Sequence, residues 1–293
     1  MFKGSIVAIV TPFKDGKFDE EAFEKLIEWH ISAGTNAIVP CGTTGESATL
    51  DYDEHMTVIE CAIKCVNKRV PVIAGTGANS TDETIMLTKK AETLRADGAL
   101  LVAPYYNKPT QEGLFRHYDA VAKEVDIPLV LYNVPGRTAV NIVPATVARI
   151  VENNKNVVAI KEASANMVQI SEIIALCGDR LIVLSGDDAT TYPLLALGGK
   201  GVISVAANVV PQKIFHMCKA FEENNTEEAL KLHYNLLELF GALFLETNPI
   251  PVKTALAMMG KIDEEFRLPL CSMAPGTREA LKKCLINYGL IPS

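Results

Sequence analysis

Short runs of aliphatic and β-branched residues alternate along the chain with longer stretches in which apolar positions recur every three or four residues. Residues 5–11 (SIVAIVT) form the first run. Behind it, Phe23, Leu26, Ile27 and Ile31 fall on one face of a helix predicted over 19–33, with Asp19 placed to cap it. The alternation repeats. Strands are predicted at 37–41, 71–75, 99–104, 128–134, 157–162, 181–185 and 202–205. Helices are predicted at 53–66, 81–95, 111–125, 144–151, 167–177, a segment ending near Leu197, and 211–222. Pro144 suits a first helical position. The strands are almost continuously apolar, as in a parallel sheet covered on both faces. Eight strand–helix units in one run predict an α/β fold, a closed (β/α)8 TIM barrel, whose functional residues stand at the C-terminal ends of its strands. A doubly wound open sheet is the alternative. No strand runs into G-x-G-x-x-G, and Gly75-Thr76-Gly77 is too short a match. Beyond 225 only helices are predicted, at 227–245, 252–259 and 277–288. The chain thus divides into a catalytic barrel, 1–225, and an appended C-terminal helical segment, 226–293.

The strand ends gather unusual residues. Strand 157–162 finishes in Lys161 and Glu162. Alternation puts Val157, Ala159 and Lys161 on one side, and Val158, Ile160 and Glu162 on the other. An ammonium in an apolar interior must find a partner or release its proton, and a neutral lysine is a nucleophile towards carbonyl compounds. A lysine that has left the strand for solvent is the plainer reading of this residue alone. On the preceding strand Tyr132 shares a face with Val130, one strand spacing of about 4.8 Å away. Taken singly, it is a core tyrosine with a satisfied hydroxyl. Gly42-Thr43-Thr44-Gly45-Glu46-Ser47 follows the second strand, with backbone N–H groups and two hydroxyls to offer a carboxylate. It lacks the lysine of a Walker A loop. Arg137 can clamp a carboxylate with two parallel hydrogen bonds, or lie idle on the surface.

Composition narrows the function classes. The 293 residues carry a net charge of −7 with no basic face, which disfavours nucleic acid or an anionic membrane as partner. No stretch approaches the ~18–20 apolar residues of a membrane span, and the apolar run 6–10 is too short for a secretion signal. Seven scattered cysteines without a C-x-x-C pair fit a reducing compartment, so a cytoplasmic protein is expected. The five histidines form no H-x-H or H-E-x-x-H, and no metal site is expected.

Together the segments 42–46, 132–138 and 159–162, in this order and spacing, resemble the pyruvate-dependent class I aldolase family, which includes N-acetylneuraminate lyase. The likeness spans essentially the whole chain, with Pro104-Tyr105-Tyr106-Asn107, Ser185-Gly186-Asp187-Asp188, Gly201-Val202-Ile203-Ser204 and Asn248-Pro249-Ile250-Pro251-Val252-Lys253 contributing. It is strongest towards members that condense pyruvate with L-aspartate 4-semialdehyde to 4-hydroxy-tetrahydrodipicolinate, in diaminopimelate and lysine biosynthesis. The resemblance implies that Lys161 forms an imine with pyruvate, so no cofactor is needed. It implies a proton relay from Tyr132 through Thr43 to Tyr106, the last reaching across a subunit interface of a homo-oligomer, a dimer or a tetramer built from tight dimers. Thr44 would hold the pyruvate carboxylate, Arg137 that of the aldehyde, and Gly186 and Ile203 would line the pocket through their carbonyls. Glu162, facing away from Lys161, is not the base. Many members bind inhibitory lysine at a dimer interface; the matching positions are Ser47, Ala48, His55, Asn79, Glu83 and Tyr105. Tyr52 stands where lysine-sensitive members often carry histidine, so inhibition by lysine is expected to be weak. N-acetylneuraminate lyase or a sugar-acid aldolase would share Lys161 and Tyr132. Thr43-Thr44 and Arg137 suit a small aldehyde acid better than a polyhydroxy chain. A non-catalytic pyruvate or amino-acid sensor is the reading from another class, and the joint presence of lysine, tyrosine and threonine weighs against it.

Overall fold

A computed structural model describes residues 2–293. Its centre is a barrel of eight parallel strands: β1 (Gly4–Ala8), β2 (Ala37–Val39), β3 (Ile73–Gly75), β4 (Gly98–Val102), β5 (Leu129–Asn133), β6 (Val157–Glu162), β7 (Ile182–Ser185) and β8 (Gly201–Ser204). They pair in the order β2-β1-β8-β7-β6-β5-β4-β3. The ends meet where Ile38 bridges Val72 and donates to Pro71 O at 3.0 Å, closing the barrel. Around it lie α1 (Glu20–Ser32), α2 (Tyr52–Val66), α3 (Thr81–Thr93), α4 (Gln111–Glu124), α5 (Pro144–Asn153), α6 (Met167–Cys177), α7 (Thr191–Ala196) and α8 (Pro211–Glu222). Local chemistry sets their starts. Asp19, Asp51, Ser80, Thr110 and Asn166 accept hydrogen bonds from first-turn N–H groups, and proline opens α5 and α8.

Side chains sort into an interior and an outer layer. Ile6, Ala8, Ala37, Val39, Ile73, Leu100, Val130, Tyr132, Ala159, Leu184 and Ile203 fill the barrel. Strand residues of opposite parity, such as Leu101, Leu131 and Ile160, pack outward with the helices. The predicted alternation fails at one point. Val157 belongs to the outer layer with Leu129, while Val158 packs against the interior set. The pairing of β5 with β6 shifts register between Leu129 and Val130, a bulge that sets two residues of β6 against one step of β5. Beyond the bulge, Ala159 and Lys161 face inward as alternation requires.

Three further helices follow: α9 (Thr226–Ala242), α10 (Ile250–Met258) and α11 (Pro275–Asn287). Leu236, Phe240, Val252, Leu256 and Leu281 share one apolar cluster with Val7, Ile38, Val58 and Ile214, so this segment packs into the barrel's own outer core. Phe13–Lys14 and Lys17–Phe18 pair as a small hairpin outside the barrel. Asp15 and Gly16 at its tip have φ of 53° and 77°, the left-handed pair that an Asp-Gly turn provides. No helix among the described residues is long and apolar enough to cross a membrane.

Candidate active site

Register brings the two principal residues together. Tyr132 on β5 pairs directly with Lys161 on β6. Both are 5% exposed. The Lys161 ammonium nitrogen lies 4.2 Å from the centre of the Tyr132 ring, a cation–π distance. Gly186, just past β7, covers the lysine stem. A Cβ there would fall 2.6 Å from Ala163 Cβ and 3.1 Å from Lys161 Cε and Cγ, so any side chain would press on the lysine. Ile203 is fully buried in the interior layer.

Glu162 is also buried, on the opposite side of β6. It accepts hydrogen bonds from Asn133 Nδ2 at 2.9 Å, Gln169 Nε2 at 3.1 Å and Ser164 N at 2.7 Å. Three donors fix this carboxylate behind the strand, and it braces the ends of β5 and β6 from outside.

Above the barrel mouth, the segment 42–46 is folded tightly. Gly45 N and Ser47 N donate to Gly42 O, Glu46 N donates to Thr43 O, and Thr11 Oγ1 donates to Gly45 O at 2.7 Å. Gly75 permits the close approach, because a Cβ there would meet Cys41 O at 2.1 Å. Thr44 is 2% exposed, and its hydroxyl oxygen accepts from Asn248 Nδ2 at 3.0 Å. Arg137, on the short helical turn Pro135–Thr138 after β5, donates through Nη2 to Asn248 O at 3.1 Å. Glu46 reaches the other way. Its carboxylate meets Lys253 Nζ at 2.5 Å in an ion pair with neither side chain exposed. Burial pushes the Lys253 ammonium below its ordinary range, and Glu46 opposes that fall.

A cleft of about 630 Å³ opens beside these groups, lined by Thr43, Val134, Arg137, Thr138 and Asn248 among others. Val134 belongs to the same interior cluster as Tyr132, while Lys161, Tyr132, Thr44, Gly186 and Ile203 do not themselves line the cleft. The same cleft continues to Ser47, Ala48, Tyr52, His55, Glu83 and Tyr105. His55 bonds Gly75 O through Nε2 at 2.7 Å, and burial holds its pKa below the ordinary value. Glu83 faces Tyr52 and raises its phenol pKa; burial first and then Glu83 raise that of Tyr105. Asn79 does not line the cleft; its carbonyl accepts from Asn107 Nδ2 at 2.8 Å.

Tyr106 is placed differently. Its side chain is 88% exposed and does not line the cleft of its own chain. Its φ of 73° is a left-handed conformation that costs a non-glycine residue about 1–2 kcal/mol.

Asn248 and Lys253 received no role from sequence reasoning, although both lie in the quoted segment 248–253. Polar residues at fixed spacing before an apolar helix were the available signal; their partners, some 200 residues upstream, were not. Among the described residues, the grouping of metal-ligand type is Glu20, Glu24 and Cys61, on α1 and α2 outside the barrel.

An interior strand lysine, an inward tyrosine on the adjoining strand and a hydroxyl-bearing loop over the barrel mouth define a lyase of the class I aldolase type. Comparison with known proteins agrees and narrows the class. The model of the dihydrodipicolinate synthetase family matches residues 1–287. The 4-hydroxy-tetrahydrodipicolinate synthase of Thermodesulfovibrio yellowstonii is 66% identical over 291 residues, covering 99% of this chain and 100% of that one. The crystal structure of dihydrodipicolinate synthase from Aquifex aeolicus superposes with a TM-score of 0.98 at 51% identity, covering 100% of both chains. That of the chloride-inhibited enzyme from Acinetobacter baumannii, complexed with pyruvate, gives 0.97 at 50% identity, over 99% of this chain and 100% of that one. The chain belongs to the dihydrodipicolinate synthetase family.

Proposed function

We propose that the chain condenses pyruvate with L-aspartate 4-semialdehyde to 4-hydroxy-tetrahydrodipicolinate, on the route to diaminopimelate and lysine, with Lys161 as the nucleophile. The observation that carries this reading is the buried Lys161 amine against the Tyr132 ring, beneath a loop that offers hydroxyls. Full-length relatives that bear the synthase name support the choice of substrates.

The chemistry follows from the placement. The amine of Lys161 adds to C2 of pyruvate, and loss of water gives the imine. Its protonated nitrogen withdraws electrons, so the methyl carbon gives up a proton and an enamine forms. That carbon attacks the aldehyde of the second substrate. The substrate's own amine then attacks the imine carbon, closing the ring and releasing Lys161. The covalent imine takes the place of a cofactor. Tyr132, in contact with the amine, is suited to move protons to and from the nitrogen and the departing oxygen. Thr43 continues the relay, and Tyr106 of the partner subunit ends it. Its near-complete exposure and strained backbone support a side chain held out for a neighbouring copy. Thr44 binds the pyruvate carboxylate, while Arg137, on the cleft rim, takes that of the semialdehyde. Gly186 leaves the lysine room to swing between free and imine forms. Lysine inhibition through the Ser47–Glu83–Tyr105 wall is weak, because Tyr52 stands where lysine-sensitive members often carry histidine. Seven free cysteines accord with a cytoplasmic enzyme.

A coupled assay tests the reading. Pyruvate with aspartate semialdehyde should turn over and N-acetylneuraminate should not be cleaved; the opposite preference would replace it with a sugar-acid aldolase.

A further inference from the structure

Asn248 lies between α9 and α10, far from β2 and β5 in sequence, yet it touches both carboxylate-binding groups assigned above. Its side chain is 5% exposed and forms part of the cleft wall. Nδ2 donates to Thr44 Oγ1 at 3.0 Å, and the main-chain carbonyl accepts from Arg137 Nη2 at 3.1 Å. Oδ1 is buried without a partner among the described residues.

A threonine hydroxyl has one proton to give and two lone pairs that accept. Asn248 occupies a lone pair of Thr44. The hydroxyl proton therefore remains free, and among the described residues nothing else accepts it. Turning the amide over would reverse the bond: Thr44 would spend its proton on Oδ1, and an N–H would be orphaned instead. Of the two orientations, only the one with Nδ2 towards Thr44 leaves its hydroxyl a donor to an anion. We propose that Asn248 is a positioning residue that sets the polarity of the Thr44 hydroxyl towards the pyruvate carboxylate, while its carbonyl anchors Arg137 at the rim. This rests on the assignment of Thr44 as a carboxylate ligand. The two contacts act separately, because a side-chain substitution removes the first and leaves the main-chain carbonyl in place.

The test compares Asn248→Ala, Asn248→Asp, Thr44→Val and the double variant Asn248→Ala/Thr44→Val, measuring kcat, KM for each substrate, and Tm. Asn248→Ala should raise KM for pyruvate about tenfold, the effect of losing an ordered hydrogen bond to a charged group. KM for the semialdehyde should stay within about twofold. Asn248→Asp keeps the shape but only accepts, so it captures the Thr44 proton and should raise KM for pyruvate further. The double variant should be no worse than Thr44→Val alone, because the two residues act through one hydroxyl. An unchanged KM for pyruvate in Asn248→Ala, multiplying effects in the double variant, or a loss confined to Tm would overturn the proposal. If Thr44→Val itself leaves KM for pyruvate unchanged, the ligand assignment fails first, which separates the two failures.

Discussion

His30 sits on α1 with no exposure, and neither ring nitrogen has a hydrogen-bond partner. Burial, helped by the charge of Lys261, lowers its pKa to about 3. His117, bonded to Thr81 at 3.0 Å, is lowered by burial to about 4. Asp188 moves the other way: burial raises it to about 6, against the hydrogen bonds from Ser204 and from the N–H groups of Ala206 and Val205. The signs differ accordingly. Below the ordinary histidine value of 6.5 the unfolded chain takes up protons that folded His30 and His117 refuse, so their contribution falls as pH drops towards 4 and 3. Folded Asp188 keeps a proton between about 6 and 3.8 that the unfolded chain gives up, so its contribution grows over that window. Two larger losses outweigh one gain. Tm should therefore fall between pH 6.5 and 4, and His30→Phe should flatten the fall; equal slopes for the two proteins would contradict this assignment. Single residues were unevenly legible in the sequence. Lys161 and Tyr132 could be placed because strand parity alone orients them. Val157 was misplaced because a bulge leaves no mark in an apolar run. Asn248 was left without a role because hydrogen bonds across 204 positions depend on the finished fold.

Between elements, the key tie runs from the loop after β2 to α10. Glu46, at φ 52°, ends the loop that carries Thr43 and Thr44, and its carboxylate is held by Lys253 with no solvent contact. The ammonium lies 4.2 Å from the Phe13 ring and 5.3 Å from that of Phe266. Arg267 extends the tie, bonding Glu54 at 2.7 Å while its guanidinium stacks 4.1 Å over Phe13. The C-terminal segment thereby clamps the loop after β2, which explains why it packs so closely upon the barrel. A buried pair is costly to break on one side, because the survivor is left charged and dry. Lys253→Met should lower stability by about 3–5 kcal/mol in chemical unfolding, and Glu46→Gln added to it should recover much of the loss. A double variant no more stable than the single one would show that the pair is not the coupling element. The helices themselves were legible from apolar periodicity, and the start of α1 from Asp19 as its cap. This clamp was not, because no periodicity records which charged residues meet.

For the whole molecule, the eightfold alternation of apolar runs and amphipathic stretches was enough to foresee a closed barrel. Closure itself depends on the β2–β3 contact, where one bridge at Ile38 and Val72 completes the ring. The barrel gathers the ends of β5, β6 and β7 at one mouth, and sets an amine against a tyrosine ring with a glycine packed on the lysine stem. Tyr106, turned outward at 88% exposure, is free to meet a second copy of the chain, as the proposed relay requires. The proposed function rests on covalent capture of pyruvate by one lysine. Treating the protein with pyruvate and borohydride, then mapping the product by mass spectrometry, measures that capture. The structure predicts a reduced pyruvate adduct on Lys161 and none at any site in Lys161→Ala. An adduct on a different lysine, or a Lys161→Ala enzyme that condenses the two substrates at the parental rate, would contradict it.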